Sequence, residues 1–252
     1  MTFAALSPTP ANTRQTRHTM PAPRVLDPQT APVVGTDSHL LAVPVERLQP
    51  HALRQRFASR PVWTPEFDGD GRFDSQRQPA AAAVLVALVQ RADGLHVLLT
   101  RRTAHLRDHA GQISLPGGRS EVHDDGPAAT ALREAHEEVG LVPQLVEVLG
   151  TLPTYTTITQ FVVTPVVALV PALDTQALPV DAFEVAEVFE VPLAFLMTPA
   201  HHQRHLFRHD GSERQFLSMP WQGPDADGVL REYFIWGATA AMLRNLYRFL
   251  AA

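Results

Sequence analysis

Apolar positions become regular from residue 80 onward, where short hydrophobic runs alternate with polar breaks. Two runs, 80–89 and 95–102, are rich in Val and Leu and flank "RADG", which predicts a β-hairpin with an Asp-Gly turn. A third run, "QISLPGG" (112–118), predicts a short strand ended by a Pro-Gly-Gly break. Similar patterns predict further strands, or a strand with a turn, over 146–154, 160–171, 184–193 and the start of 231–250.

Two stretches are typical of helices. The range 126–140 has Pro127 near its first turn, several alanines, and Gly140 as a C-terminal stop. The second helix follows the strand at the start of 231–250 and is amphipathic. Because strands dominate and helices are interleaved, we expect an α+β or α/β fold, with a mixed β-sheet packed between helices.

Residues 1–79 differ in composition from the rest of the chain. They contain eleven of the 22 prolines and little periodic apolar pattern, which predicts a partly disordered N-terminal extension before a domain at 80–252. Within the extension, "VERLQPHALRQRF" (45–57) is compatible with one or two short helices. The first 24 residues have three arginines and no acid, but their prolines argue against an organellar targeting helix.

Composition excludes several kinds of chemistry. The chain has no cysteine, which excludes disulfides, thiolate catalysis and zinc-thiolate sites. All 21 basic residues are arginine, which removes lysine as a possible base. The absence of lysine also suggests a GC-rich genome, and we expect a bacterial, cytoplasmic protein. A net charge of −5 gives no reason to expect nucleic acid as a partner, and no apolar run is long enough for a membrane span.

The run "HHQRHLFRH" spaces His201, His205 and His209 four residues apart. On a helix this spacing suits a zinc site, but no catalytic carboxylate accompanies it. A solvated loop or helix is therefore the favoured interpretation.

The predicted helix 126–140 contains "REAHEE", in which Glu134, Glu137 and Glu138 share one face beside Arg133. Like charges at this spacing repel by roughly 0.2–0.5 kcal/mol per pair. Either the face is solvated, or a multivalent cation binds among the carboxylate oxygens.

The residues around this face resemble the Nudix box, about 117–141 in this chain. Its second half is matched in order and spacing by Arg133, Glu134, Ala135, Glu137, Glu138, Gly140 and Leu141. In the first half the glycines, Gly117 and Gly118, lie one or two residues early. A one-residue insertion restores the spacing, with Asp124 or Asp125 at the acidic position.

The stretch "LLTRRTAHLRDHAGQISLPGG" (98–118) is similar to the signature of the coenzyme A pyrophosphatase branch of this family. The matching residues are Leu98, Leu99, Thr100, Arg102, Arg107, Gly111, Pro116, Gly117 and Gly118. Two residues depart mildly from the signature: Thr103 stands where it has Ser or Ala, and Leu115 stands where it has Phe. The resemblance implies a Nudix-type α/β/α sandwich and metal-dependent hydrolysis of coenzyme A.

The implied cofactor is Mg²⁺ or Mn²⁺, because hard cations prefer carboxylate oxygens. We expect Glu134 and Glu138 to be metal ligands, with Glu137 as a third ligand or the general base. Arg133 is expected to orient a glutamate through a bidentate pair. Gly117 and Gly118 are expected to let the backbone turn tightly beside the bound phosphates.

Substrate contacts are less specific. Arg102 and Arg107 suit phosphate oxygens of coenzyme A but equally suit surface charge, and His109 is a further candidate for a substrate contact. A catalytic glutamate outside the box is expected at Glu184, with Glu187 and Glu190 as rivals or all three as solvent-facing carboxylates.

Three functions stay open on sequence alone. The first is hydrolysis of coenzyme A or its thioesters to 3′,5′-ADP and (acyl)phosphopantetheine. The second is Nudix hydrolysis of another nucleoside diphosphate derivative, such as ADP-ribose, NADH or a damaged nucleotide. The third is a non-catalytic Nudix-like binding module, which the intact carboxylates argue against. The expected partner is a small-molecule substrate, and the sequence leaves a homodimer open.

Overall fold

The computed structural model describes residues 27–59, 61–70, 78–105, 111–209 and 212–252. The helices are α1 (Pro50–Ala58), α2 (Gly126–Val139), α3 (Leu193–Leu196) and α4 (Gly237–Ala251). The strands are β1 (Val33–Thr36), β2 (Ala80–Arg91), β3 (Gly94–Arg102), β4 (Ile113–Ser114), β5 (Gly117–Arg119), β6 (Glu147–Thr151), β7 (Tyr155–Thr156), β8 (Phe161–Val170), β9 (Val185–Pro192), β10 (Gln203–His209), β11 (Ser212–Pro224) and β12 (Leu230–Trp236). Within these ranges, none of the helices has the length and apolar character that crossing a membrane requires.

The main sheet is mixed, and its centre is the predicted hairpin of β2 and β3. Strand β2 runs parallel to β8 over ten residue pairs and antiparallel to β3, and β9 continues the sheet antiparallel to β3. In the hairpin Arg91 pairs with Gly94, so the turn itself is formed by Ala92 and Asp93, and Gly94 begins β3 with a φ of 134°. The hairpin is thus confirmed, with its turn one residue earlier than predicted.

Helices cover both faces of this sheet, as the α+β prediction required. Ala131, Ala135 and Val139 of α2 are buried against Leu85 and Leu98 of the sheet, and together they form one apolar core. The opposite face packs against α1, α4 and strands β11 and β12, which form a second and larger core. The two helices predicted from the sequence therefore lie on opposite sides of a mixed sheet.

A second sheet, of four antiparallel strands in the order β1-β10-β11-β12, was not predicted. Its strand β10 corrects the interpretation of "HHQRHLFRH" as a solvated loop or helix. His205 is buried there, and its ring nitrogens lie 2.9 Å from the Ala31 carbonyl and 2.7 Å from the Ser218 hydroxyl. The side chain of His209 lies outside the described part of the chain. A strand cannot place residues four apart on adjacent turns, so the zinc face of a helix does not exist here.

The described part of the proline-rich extension packs against the rest of the chain. The short helices suggested for 45–57 correspond to a 3₁₀ turn at Val45–Leu48 and to α1, and Leu53 of α1 is fully buried. Val43 and Leu48 join the same core, and β1 pairs with β10. The domain boundary at residue 80 stays a prediction from composition, although apolar contacts cross it.

An ionic network ties this segment to α4 and β10. Arg204 donates to both carboxylate oxygens of Asp37, at 2.8 and 2.9 Å, and to Glu66 at 2.6 Å. Arg244, buried to 1% exposure, donates to Glu66 at 2.7 Å and lies 3.2 Å from Asp37. Its remaining nitrogen lies 2.9 Å from Nδ1 of His202. Two guanidinium groups thus face two carboxylates, which we call the ionic network below.

Candidate metal and active site

Helix α2 places its carboxylates at the edge of the core, where two of them are largely shielded from water. The helix begins at Gly126, includes Pro127 in its first turn, and ends at Val139, where Gly140 caps it with a φ of 65° that suits glycine. Glu138 and Glu134 keep only 8% and 17% of their side chains exposed, against 57% for Glu137. The alternative of a simply solvated acidic face therefore does not describe Glu134 or Glu138.

The two glycines form a strand opposite this face, which corrects the predicted Pro-Gly-Gly turn. In β5, Gly117 and Gly118 pair with Val84 and Ala83 of β2. A Cβ on Gly117 would lie 2.3 Å from the Ala83 carbonyl oxygen, and a Cβ on Gly118 would lie 2.5 Å from Oε2 of Glu134. The missing side chains therefore let β5 approach both the sheet and the Glu134 carboxylate.

The backbone of β5 also contacts Glu138 directly. The Gly117 N–H donates to Oε2 of Glu138 at 3.0 Å, which fixes one carboxylate oxygen between the helix and the strand.

Arg133 forms ion pairs with several carboxylates of the site, and Asp124 is its main partner. Its Nε and one terminal nitrogen donate to the two Asp124 oxygens, both at 3.0 Å. The same guanidinium lies 3.0 Å from Glu134 and 3.0 Å from Glu137. The hydrogen bond from Arg133 holds the pKa of Asp124 well below its usual range. Of the two acids weighed for the box position, Asp124 is thus engaged by Arg133, while Asp125 precedes the first residue of α2.

Arg102 lies between two carboxylates from different elements. Its guanidinium is 3.7 Å from Glu138 of α2 and 3.8 Å from Glu184, the residue before β9. The rivals of Glu184 lie elsewhere: Glu187 accepts from Tyr233 at 2.7 Å, and Glu190 pairs with Arg91 at the far end of β9. Of the three candidate glutamates, the structure brings Glu184 to the carboxylates of α2.

The site carries more negative charge than its arginines balance. Burial raises the pKa of Glu138 to about 7, and the nearby charges of Glu184 and Glu134 add to burial, while Gly117 and Arg102 oppose it. Burial also raises the pKa of Glu134; Arg133 opposes this, and Glu137 and Glu184 reinforce it. A carboxylate held beside other carboxylates without enough positive charge is the arrangement that a bound cation stabilises.

The donor set fits a hard divalent ion, since it consists of carboxylate oxygens from α2 and from Glu184, the residue before β9. The side chains as placed are instead engaged by Arg102 and Arg133, and within the described ranges no three acidic or histidine side chains converge as a metal site requires. Glu137 and Glu184 are 57% and 43% exposed, so burial does not confine their side chains as it does those of Glu134 and Glu138.

Four further residues concern the substrate contacts and the position of Glu184. Arg107 and His109 lie outside the described residues, and their substrate contacts stay predictions. Thr103 and Asp181 were missed by sequence reasoning, yet they position Glu184: the Thr103 N–H donates to the Glu184 carbonyl at 2.9 Å, and the Glu184 N–H donates to the Asp181 carbonyl at 3.0 Å. The bond from Thr103 joins segments about 80 residues apart and leaves no mark in the local sequence.

The α+β fold, with the carboxylates of α2 facing the glycines of β5, defines a class of protein. Comparison with known proteins identifies that class. Residues 79–210 match the family model described as the NUDIX domain. NudL of Salmonella paratyphi B, described as an uncharacterized Nudix hydrolase, is 45% identical over 175 residues, which cover 68% of this chain and 82% of that protein. The chain belongs to the Nudix hydrolases. Enzymes of this family generally use divalent metal ions such as Mg²⁺ or Mn²⁺.

Solved structures show more distant likeness. The Ap4A hydrolase of C. elegans in a binary complex is 19% identical, with a TM-score of 0.39, and the match covers 46% of this chain and 85% of that one. The NUDIX domain of Shewanella oneidensis NrtR, complexed with ADP ribose, is 23% identical with a TM-score of 0.37, over 50% of this chain and 80% of that one. The substrate therefore has to be argued from the residues of this chain.

Proposed function

We propose that this protein hydrolyses the pyrophosphate bond of coenzyme A or its thioesters, giving 3′,5′-ADP and (acyl)phosphopantetheine. The observation that carries the reaction type is the excess of buried carboxylate around Glu134 and Glu138, facing Gly118. The observation that carries the substrate is the resemblance of residues 98–118 to the coenzyme A branch of the family.

In this proposal the carboxylates of Glu134 and Glu138 hold Mg²⁺ or Mn²⁺, with Glu137 as a third ligand. When bound, the ion supplies charge neutralisation of the phosphate oxygens and lowers the pKa of bound water. Arg133 keeps Glu134 and Glu137 in place through its two 3.0 Å contacts. Glu184 or Glu137 accepts the proton of the attacking water, because both are accessible to solvent.

Arg102 has a second role in this proposal. It lies within 3.8 Å of Glu138 and Glu184, and it keeps 26% of its side chain exposed. A guanidinium in that position suits bidentate donation to phosphate oxygens, and an ion held by Glu134 and Glu138 would supply the positive charge that their carboxylates need. Arg102 therefore binds the pyrophosphate or a neighbouring phosphate of the substrate.

The proposal is tested by incubating the purified protein with Mg²⁺ or Mn²⁺ and, separately, with coenzyme A, acetyl-CoA, ADP-ribose and NADH, and then separating the products. We expect 3′,5′-ADP and phosphopantetheine from coenzyme A, and no products once the ions are chelated. Consumption of ADP-ribose or NADH while coenzyme A survives would replace the proposal with another Nudix substrate. Consumption of none of them would point to the non-catalytic binding module.

A further inference from the structure

Phe183 is an apolar side chain at an unusual place. Among the phenylalanine, tyrosine and tryptophan side chains of the described ranges it is the one that is exposed, at 66%. A single exposed apolar residue is common on protein surfaces and by itself indicates nothing. The position of Phe183 beside the candidate site, and the way its backbone is held, are what distinguish it.

Four hydrogen bonds fix the turn that carries Phe183. The Asp181 N–H donates to the Glu138 carbonyl of α2 at 2.9 Å, and the Phe183 N–H donates to the Asp181 carboxylate at 2.9 Å. From the other side, Thr103 donates its hydroxyl to the Phe183 carbonyl at 2.8 Å and its N–H to the Glu184 carbonyl at 2.9 Å. The exposed ring therefore extends from a backbone tied to both α2 and the end of β3.

This turn leads directly into the candidate site. Phe183 is adjacent to Glu184, so their Cα atoms are about 3.8 Å apart. The Glu184 carboxylate lies 3.8 Å from Arg102, which in turn lies 3.7 Å from Glu138. The ring of His105, also exposed and three residues after Arg102, has its centroid 4.8 Å from that of Phe183 at an interplanar angle of 59°. The two rings in contact thus lie on the segments that also carry Glu184 and Arg102, the latter being the residue proposed to bind phosphate.

We propose that Phe183, with His105 beside it, is the surface on which the base of the substrate stacks. The ligand class is an adenine nucleotide, so this inference rests on the proposed function and deepens it. A phenyl ring has no hydrogen-bonding group, and it recognises the face of a base and not its edges. Phe183 therefore contributes affinity for the nucleotide half of the substrate and little discrimination among bases.

The test compares Phe183→Ala, Phe183→Trp and a control, Leu230→Ala, which removes another exposed apolar side chain (75%) from β12. Binding of 3′,5′-ADP and of 4′-phosphopantetheine, the two expected products, is measured by calorimetry with Mg²⁺ present. We expect Phe183→Ala to weaken 3′,5′-ADP roughly tenfold and to leave phosphopantetheine within about twofold. Phe183→Trp retains the affinity, and its fluorescence is quenched by 3′,5′-ADP. Leu230→Ala changes neither ligand.

Three results would overturn the stacking surface: unchanged 3′,5′-ADP affinity in Phe183→Ala, an equal loss for phosphopantetheine, or no adenine nucleotide binding by the wild type. Binding of adenosine 5′-monophosphate separates this inference from the proposed hydrolysis. If the wild type leaves coenzyme A intact but binds this nucleotide through Phe183, the reaction is refuted and the surface stands. If it hydrolyses coenzyme A and Phe183→Ala has no effect on binding, the reaction stands and the surface does not.

Discussion

Two regions of the chain bring arginine and carboxylate side chains together, one between the N-terminal segment and α4, the other along α2. In the ionic network two carboxylates, Asp37 and Glu66, face two guanidinium groups, Arg204 and Arg244. Along α2, two guanidinium groups lie within 3.9 Å of six carboxylates: Arg102 and Arg133 face Glu121, Asp124, Glu134, Glu137, Glu138 and Glu184. Positive and negative charges are therefore balanced in the ionic network, whereas along α2 the carboxylates outnumber the guanidinium groups.

The pKa values of the buried carboxylates follow this balance. Burial alone would raise the pKa of Asp37 and of Glu66, but hydrogen bonds from Arg204 and the charge of Arg244 outweigh it, and both lie below their ordinary values. At Glu134 and Glu138 burial prevails, and neighbouring carboxylates add to it. A complete set of partners marks a structural contact, whereas a deficit of positive charge marks a place for a cation or a cationic ligand.

Breaking the balanced region should have the largest effect on stability. Replacing Arg244 with methionine keeps much of the volume but leaves the buried Asp37 and the partly buried Glu66 with one guanidinium between them. We expect the free energy of unfolding to fall by roughly 3–5 kcal/mol, the typical cost of removing one partner of a buried pair. Urea denaturation at pH 7 measures it. Arg54→Ala is the matched control, because its pair with Glu147 is exposed on both sides and should leave the unfolding curve nearly unchanged. A fall no larger than in that control would show the network to be unimportant for the fold.

Changing the unbalanced region should affect activity and not the fold. In Glu138→Gln the side chain keeps its shape but loses a charge that its neighbours disfavour. We expect kcat for coenzyme A to fall roughly 100-fold or more, because an ion-binding carboxylate is lost. The unfolding midpoint without divalent ions should be unchanged or higher, opposite to the effect of Arg244→Met.

The control for this variant is Glu232→Gln, an exposed glutamate on β12 that should retain full activity. A second measurement is the thermal midpoint with added Mn²⁺. An ion at 100 times its dissociation constant stabilises by about 2.7 kcal/mol, so the wild type should shift upward and Glu138→Gln should shift less. Unchanged turnover in Glu138→Gln would remove this residue from the proposed site.

The two regions also differ in how much of each could be predicted from the sequence. The α2 face is local: Arg133, Glu134, Glu137 and Glu138 lie within six residues, and helical periodicity alone places them together. The ionic network joins Asp37 to Arg204 across 167 residues, and no local pattern pairs such residues. The high proline content of residues 1–79 likewise conceals the apolar contacts of the segment, because composition does not register which few side chains are buried.

Strand β10 shows a second reason for failure. The interpretation of "HHQRHLFRH" depended on the four-residue spacing of its histidines, which has meaning only on a helix. In the structure the segment pairs with β1 and β11, so tertiary contacts decide its conformation. The turn at Phe183 was missed for a related cause: Thr103 binds it through its hydroxyl and its N–H from a distant strand end, and Asp181 joins it to Glu138 of α2.

The smallest expected effect concerns the pH dependence of the balanced region. His202 is buried; its Nδ1 accepts from Arg244, because a guanidinium only donates, and its Nε2 donates to the Leu196 carbonyl at 2.8 Å. Burial, with Arg244 and His201, lowers its pKa to about 4, although Leu196 and Asp37 oppose the shift. Since the unfolded chain binds this proton at an ordinary histidine pKa of about 6.5, the stability that neutral His202 contributes is complete above that pH and is lost as the pH falls toward 4.

We therefore expect the wild type to lose on the order of 1–2 kcal/mol more stability than His202→Gln between pH 7.5 and pH 5, because glutamine does not titrate. Urea denaturation of both proteins, without divalent ions, at several pH values across this range measures the difference. The comparison uses the slope of the free energy of unfolding against pH, so a general loss of stability in the variant does not obscure the result. Parallel pH profiles would mean that His202 takes up a proton in the folded protein as readily as in the unfolded chain. Arg244 would then have to turn its guanidinium away from an imidazolium, and the network would be less rigid than its hydrogen bonds indicate.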